Sequence, residues 1–167
     1  FQVASIITTT GLSTVDFNQW PALSKAILVL LMFIGACAGS TDSGMKCSRI
    51  LLMCKSIRKE MQFLIHPRAE RVNKIDGRRV PHEVMRSVNV FMIGYLLLVI
   101  LSVLLRSIPN EELITNFTAV AATLNNVGPG LELVGPAANF GFFSPLSKIV
   151  LMFDMLAGRL EVFPMLL

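Results

Sequence analysis

Residues 113–131 read LITNFTAVAATLNNVGPGL, and this stretch decides how the rest of the chain is interpreted. No charge lies between Glu112 and Glu132, yet the stretch ends in NNVGPG, which cannot continue a helix. The helix predicted over residues 115–124 would be about 15 Å long, roughly half of a ~30 Å hydrocarbon core. Irregular backbone at that depth occurs where protein surrounds it or where it lines a water-filled path. The pattern therefore predicts a pore helix followed by an ion-selectivity strand.

The same pattern occurs a second time, at the start of the chain. The segment VASIITTTGL at residues 3–12 aligns with VAATLNNVGP at residues 120–129 at a constant offset of 117, with valine, alanine and glycine in common. The helices that follow also correspond, because LSK at residues 23–25 matches LSK at residues 146–148 at an offset of 123, and Gly35 falls on Gly158. The chain therefore contains an internal repeat, whose unit is a pore loop and the helix after it.

Composition and charge indicate a membrane protein. The chain is 53% hydrophobic with a mean hydropathy of +0.65, which is too apolar for an ordinary soluble domain. Residues 46–86 hold eleven of the fifteen basic residues and four of the eleven acidic ones. A basic connection between apolar spans is typical of the cytoplasmic side, so we expect a lipid bilayer rather than a nucleic acid as its surroundings.

Residues 24–65 are too long for one membrane span, since a single helix over them would run about 63 Å. Small and polar residues interrupt the pattern, and they predict an unwound loop beneath the filter. The alternative is that the small residues only permit close helix packing. The residues of the predicted loop are Gly39, Ser40, Thr41, Asp42, Ser43 and Gly44. Helices are also predicted over residues 48–65, 83–105 and 146–167, with residues 106–112 as an outer turn.

A dehydrated cation needs oxygen ligands, which stacked backbone carbonyls supply in potassium channels. Glycine permits the backbone angles that turn such carbonyls inward. The predicted filter residues are Thr9, Thr10, Gly11, Leu12, Asn126, Val127, Gly128 and Pro129, with K⁺ contacted at Thr10, Gly11, Val127 and Gly128. Two units supply only two strands, so a four-fold pore needs two more. We expect the chain to be a fragment of a longer protein, because it begins within a pore helix and ends within an apolar helix.

Five segments carry a family resemblance: TTTGLST, FIGACAGSTDSGMK, HPRAE, TAVAATLNNVGPGL and AGRLEVFP. Together they resemble the C-terminal half of the TrkH-type subunit of the Trk/Ktr/HKT potassium transporter superfamily. The resemblance implies an all-α membrane protein of four M1–pore-loop–M2 units that form a K⁺-channel-like pore. Residues 1–65 would be the third unit without its M1, residues 66–82 a cytoplasmic connector, and residues 83–167 the fourth unit.

The resemblance also implies a function, partners and a gate. It implies K⁺ uptake across the bacterial inner membrane, homodimerisation, and regulation by cytosolic nucleotide-binding subunits of the TrkA type. Gly11 and Gly128 would be the filter glycines, and residues 39–46 an intramembrane gating loop faced by Arg159. We expect the basic residues between 58 and 79 to contact the regulatory subunits. K⁺ is then the transported ion, and no cofactor is expected.

Three alternatives remain open from the sequence. The transported ion could be Na⁺ instead of K⁺, because half of the filter lies outside this chain. An intramembrane hydrolase could use Ser40 or Ser43 with Asp42, but both histidines lie in the basic connector, so a membrane-embedded base is lacking. A non-conducting scaffold is the third possibility. We expect a transporter and not an enzyme.

Overall fold

The computed structural model describes residues 1–34, 47–65, 81–109 and 111–159, together with the backbone of residues 74–75 and 78–79. The helices are α1 (Gln2–Ile7), α2 (Ala22–Phe33), α3 (Cys47–Ile65), α4 (His82–Ser107), α5 (Leu113–Leu124) and α6 (Pro145–Arg159). Three short 3₁₀ turns span Phe17–Gln19, Glu132–Val134 and Phe140–Phe142. The two-residue strands β1 (Lys74–Ile75) and β2 (Arg78–Arg79) pair antiparallel within the connector. The predicted all-helical architecture is confirmed, with this hairpin as a small addition.

The helix lengths agree with a chain that crosses and re-enters a membrane. Within the described residues, one helix is long and apolar enough to cross, over Glu83–Ser107 of α4. The helices α2 and α5 are apolar but shorter, with twelve residues each. At ~1.5 Å per residue α5 is about 18 Å long, which is well short of a ~30 Å hydrocarbon core. The predicted half-length helix is therefore present, beginning two residues earlier than expected.

The short helix α5 is the centre of the molecule. It packs against α4, α6 and α2. Residues 118–124 of α5 are all buried, and Ala119, Val120, Ala121 and Ala122 have no exposed surface. Small side chains along this helix let the neighbouring helices approach closely. On one side, Val120 and Leu124 join an apolar cluster with residues of α3, α4 and α6.

The last turn of α6 lies directly against the end of α5. A Cβ atom on Gly158 would collide with the carbonyl oxygen of Leu124, the last residue of α5. The next position along the chain, Asn125, is buried and accepts a hydrogen bond of 2.8 Å from the Tyr95 hydroxyl of α4. The C-terminal end of the pore helix is therefore held between α4 and α6.

The outer connections repeat as the helices do. The 3₁₀ turns at Phe17–Gln19 and Phe140–Phe142 are related by the offset of 123. Each is capped in the same way, because the side chains of Asp16 and Asn139 accept a hydrogen bond from the backbone N–H two residues later. The internal repeat inferred from the sequence is thus present in the folded chain, from the pore helix through the outer turn to the following helix.

Candidate functional site

The two predicted filter segments, residues 9–12 and 126–129, leave their helices with the same hydrogen bonds. The backbone N–H groups of Thr10 and Gly11 both donate to the Ser5 carbonyl, at 2.9 and 3.4 Å. At the offset of 117, the N–H groups of Val127 and Gly128 both donate to the Ala122 carbonyl, also at 2.9 and 3.4 Å. Each filter segment therefore turns back over the last turn of the helix that precedes it.

Their backbone angles repeat as well. Thr9 and Asn126 have φ values of +50° and +52°, and Gly11 and Gly128 have φ values of +74° and +107°. A left-handed conformation is unfavourable for residues with a side chain, and the second left-handed residue of each segment, Gly11 or Gly128, is glycine. Each filter segment therefore contains two left-handed residues separated by one residue, and the second of them is the glycine for which the sequence predicted unusual backbone angles.

This path fixes the direction of the carbonyl groups. In a planar trans peptide the carbonyl of one residue points opposite to the N–H of the next. The N–H groups of Thr10 and Gly11 point at the helix, so the carbonyls of Thr9 and Thr10 point away from it. The same reasoning directs the carbonyls of Asn126 and Val127 away from α5. The predicted filter residue Leu12 differs, because its carbonyl accepts a 2.6 Å hydrogen bond from the Ser5 hydroxyl.

The two filter segments lie side by side. A Cβ atom on Gly11 would collide with the carbonyl oxygen of Val127, and one on Gly128 would lie 4.0 Å from the Gly11 Cα atom. Val127 itself is buried in an apolar cluster with Ile6 and with Leu28 and Met32 of α2. The pore loop of the second unit therefore packs against the first unit through its filter segment.

A polar clamp joins the two units just after the second filter segment. The Asn18 side chain donates to the Glu132 carbonyl at 3.0 Å and accepts from the Glu132 N–H at 2.9 Å. Glu132 has a φ of +53°, and its carboxylate forms an ion pair of 3.5 Å with Lys25 of α2. This clamp was not predicted from the sequence, although Glu132 is the first charge after the long uncharged stretch.

The second unit has a cavity at the position that, in the first unit, is filled by packed side chains. A cavity of about 550 Å³ beside the second filter segment is lined by residues that include Asn126, Gly128, Lys148 and Met155. Met155 corresponds to Met32 at the offset of 123. Met32 is 1% exposed because it packs in the cluster that contains Val127, whereas Met155 is 46% exposed. Among the described residues, the face of α6 that corresponds to the covered face of α2 is therefore uncovered.

The predicted gate is only partly described. Gly39, Ser40, Thr41, Asp42, Ser43 and Gly44 lie outside the described residues, as does most of the basic connector. Arg159 is exposed in the last turn of α6, one position after the Gly158 contact with the end of α5. Asp154, the other charged residue in the second half of α6, is completely buried.

One assignment from the sequence was wrong. Arg106 was placed in the outer turn, but it lies in the last turn of α4 and has no exposed surface. Its guanidinium lies 4.0 Å above the ring of Phe143, and its Nη1 donates to the Asn116 carbonyl of α5 at 3.4 Å. Ser102 and Arg106 lie one turn apart, and this spacing was the only sign in the sequence that the two side chains share a face of α4. Their hydrogen-bond partners lie on α5 and α6, so they become apparent only in the folded chain.

This fold and these two pore loops define an all-helical membrane protein built of repeated pore-loop units. The family model for TrkH cation transport proteins matches residues 1–167, so the chain belongs to the TrkH family. A crystal structure of the potassium transporter TrkH from Vibrio parahaemolyticus superposes with a TM-score of 0.89 at 41% identity, covering 99% of this chain and 35% of that one.

Relatives of known name extend over the whole chain. The Trk system potassium uptake protein TrkH of Salmonella typhimurium is 41% identical over 166 residues, which cover 99% of this chain. The TrkH protein of Vibrio parahaemolyticus is 42% identical over 167 residues, and the TrkG protein of Escherichia coli K12 is 35% identical over 167 residues. The chain spans 34% of the length of each of these relatives.

Proposed function

We propose that this chain forms two of the four pore-loop units of a K⁺-uptake protein in the bacterial inner membrane. The observation that carries the proposal is the matched pair of filter segments, which turn four carbonyl groups away from their helices, those of Thr9, Thr10, Asn126 and Val127. Carbonyl oxygens of this kind can replace the water shell of a dehydrated cation. The names of the relatives support K⁺ as that cation.

The helices that precede the filter segments also favour a positive charge near those segments. The C-terminal end of a helix carries a partial negative charge of roughly half an elementary charge. Both α1 and α5 end immediately before a filter segment, and residues 113–131 contain no charged side chain that would oppose this field. The ends of both helices therefore favour a cation near the filter segments.

The uncovered face of α6 supports the proposal that further units complete the pore. The first unit covers the second filter segment with α2, including Leu28 and Met32. The corresponding face of α6, which includes Met155, borders the cavity beside Gly128. A filter segment from the remaining two thirds of the longer protein would fit there, as Val127 fits against Met32. In this arrangement residues 1–65 and 83–167 are the third and fourth units, joined by residues 66–82.

Flux through the full-length protein tests this function. We expect purified full-length protein in liposomes to conduct K⁺ and Rb⁺ and to exclude Na⁺ by at least about tenfold, a preference worth about 1.4 kcal/mol. Equal permeability to K⁺ and Na⁺ would contradict K⁺ selectivity and favour the Na⁺-permeable alternative. Absence of any cation flux from folded protein would favour a non-conducting role.

We further propose that Arg159 contributes to the gate. Gly158 contacts the end of α5, so Arg159, the next and last residue of α6, lies near the point where the pore helix ends and the second filter segment begins. A guanidinium at this level would repel a cation and could bind oxygen atoms of residues 39–44. Homodimerisation and regulation by cytosolic nucleotide-binding subunits belong to the same proposal, in which the subunits separate Arg159 from the loop by moving α3.

Replacing the charge of Arg159 tests the gate. Without regulatory subunits, Arg159→Ala in the full-length protein should raise basal K⁺ flux several-fold, because repulsion of the ion is lost, while Arg159→Lys should keep flux near the wild-type value. Asp42→Ala should raise flux more weakly. Normal folding of Arg159→Ala with unchanged basal flux would contradict this assignment.

A further inference from the structure

A buried hydrogen bond lies directly behind the second filter segment. Tyr95 of α4 is 2% exposed, and its hydroxyl donates to Asn125 Oδ1 at 2.8 Å. Asn125 has no exposed surface, and it lies between the last residue of α5 and Asn126, where the filter segment begins. The hydroxyl group therefore contacts the pore loop one residue before the backbone enters the filter.

The side-chain amide of Asn125 is held at both of its ends. Its Nδ2 donates to the carbonyl of Ala121, one turn back in α5, at 2.8 Å. The backbone N–H of Asn125 donates to the same carbonyl at 3.2 Å. Because the amide nitrogen is used by α5, the amide oxygen is left to accept a hydrogen bond from elsewhere. Tyr95 donates the hydrogen bond that this buried oxygen needs.

The ring of Tyr95 is itself fixed by aromatic packing. It stacks on Phe91 of the same helix, with ring centroids 6.2 Å apart and an interplanar angle of 24°. Phe33, the last residue of α2, meets the Tyr95 ring edge to face at 6.5 Å. Tyr95 and Phe91 belong to the apolar cluster that contains Leu124 of α5. The packing of three rings at the end of the pore helix therefore holds the hydroxyl in one place.

Comparison of the two units shows which contact is special to the second. At the offset of 117, the residue that corresponds to Asn125 is Thr8. The Thr8 hydroxyl donates to the carbonyl one turn back, that of Ala4, at 2.7 Å, as the Asn125 amide does in the second unit. The second contact differs, because Thr8 lies 2.8 Å from the Thr10 hydroxyl whereas Asn125 reaches α4. A threonine is enough to bond the end of the pore helix, so the asparagine needs a further explanation.

We propose that Tyr95 is a positioning residue for ion selectivity. Its hydroxyl holds Asn125, and Asn125 sets where the next two carbonyl oxygens, those of Asn126 and Val127, lie along the filter. Filter carbonyls replace the hydration shell of the ion, so their spacing affects which ion they fit. The inference rests on the proposed function, because it requires these carbonyl groups to contact the transported ion.

Permeability of the full-length protein tests this role. Tyr95→Phe removes only the hydroxyl, and we expect the K⁺/Na⁺ permeability ratio to fall about threefold or more, as for loss of one hydrogen bond. The control is Ser102→Ala, which removes another buried hydrogen bond of α4, the 2.6 Å bond to Asp154. This control should lower the melting temperature and leave the ratio unchanged. A lower melting temperature of Tyr95→Phe with the wild-type ratio would show a merely structural role and overturn the proposal.

A double-mutant cycle tests whether the hydroxyl acts through Asn125. Asn125→Thr introduces the residue of the first unit, which keeps a hydrogen bond to α5 and gives up the amide oxygen. In this background Tyr95→Phe should produce no further fall in the K⁺/Na⁺ ratio, because its partner is already absent. Additive losses from the two substitutions would show that Tyr95 acts by another route, and would overturn the proposal.

Amide hydrogen exchange separates this inference from the proposed function, because it requires no ion flux. The N–H groups of Val127 and Gly128 donate to the Ala122 carbonyl, so their exchange reports how firmly the filter segment is held. We expect exchange about fivefold faster in Tyr95→Phe than in the wild type, and unchanged in Ser102→Ala. Faster exchange in a protein without K⁺ selectivity would support the positioning and contradict the proposed function. Wild-type exchange together with a wild-type ratio would overturn the positioning and leave the proposed function in place.

Discussion

Single residues set the backbone path of both filter segments. Gly11 and Gly128 occupy equivalent positions with positive φ, but their surroundings differ. At Gly11 an added Cβ would also collide with the Val127 carbonyl, whereas at Gly128 the nearest atom would be 4.0 Å away. Replacement of Gly11 therefore adds a steric conflict to the backbone strain, and replacement of Gly128 adds strain alone.

This asymmetry makes a prediction about selectivity. In the full-length protein, Gly11→Ala should lower the K⁺/Na⁺ permeability ratio by about tenfold or more, because left-handed strain and displacement of the Val127 carbonyl each cost about 1 kcal/mol or more. Gly128→Ala should lower it less. The control is Gly94→Ala in α4, which meets no atom within 4 Å and should leave the ratio unchanged. A larger loss for Gly128→Ala than for Gly11→Ala would contradict the described geometry.

The sequence predicted the filter glycines correctly as positions of unusual backbone, because two copies of one pattern aligned on them. It could not predict the position of Arg106. An arginine near the end of a membrane helix is ordinarily expected at the interface, where its charge is hydrated. Burial of Arg106 depends on Phe143 and Asn116, which approach it only in the folded chain.

At the scale of elements, the decisive prediction was a helix too short to cross a membrane. NNVGPG ended α5 where expected, at Leu124, since the N–H groups that follow bond back to the last turn. The start was placed two residues late, because Leu113 and Ile114 give the same apolar signal whether they begin the helix or precede it. The first pore helix ends at Ile7, and Thr8 and Thr9 form its closing turn.

Close contact between α5 and α6 yields a prediction at the same scale. Gly158→Ala would place a methyl group against the Leu124 backbone carbonyl, so α6 must shift away from the pore helix. We expect a loss of about 1–3 kcal/mol in stability, as in other overpacked sites, measured as a lower melting temperature of the full-length protein.

The matched control for this substitution is again Gly94→Ala. It makes the same change in the interior of a helix with open space around it, and the helix propensity of alanine favours it by about 1 kcal/mol. If both variants melted at the wild-type temperature, the tight contact between α6 and the end of α5 would be wrong.

In the whole molecule, we propose that the chain supplies two of four pore-loop units, and these two units meet at one interface. The sequence predicted the two units, but it could not predict the Asn18–Glu132 clamp or the apolar contact of Met32 with the second filter segment, since both join residues more than ninety positions apart. The corresponding face of the second unit is uncovered within the described ranges, where Met155 is 46% exposed, and we expect a further unit to cover it.

The proposed pore depends above all on binding of the transported ion by the carbonyl oxygens between the filter segments. Crystals of the full-length protein grown in Rb⁺ or Tl⁺ would show that ion directly by its anomalous scattering. We expect anomalous peaks about 3 Å from the carbonyl oxygens of Thr9, Thr10, Asn126 and Val127, and their loss when Na⁺ replaces the heavier ion. Anomalous density elsewhere in the protein, with none between the filter segments of protein that conducts Rb⁺, would contradict ion binding by these carbonyl oxygens.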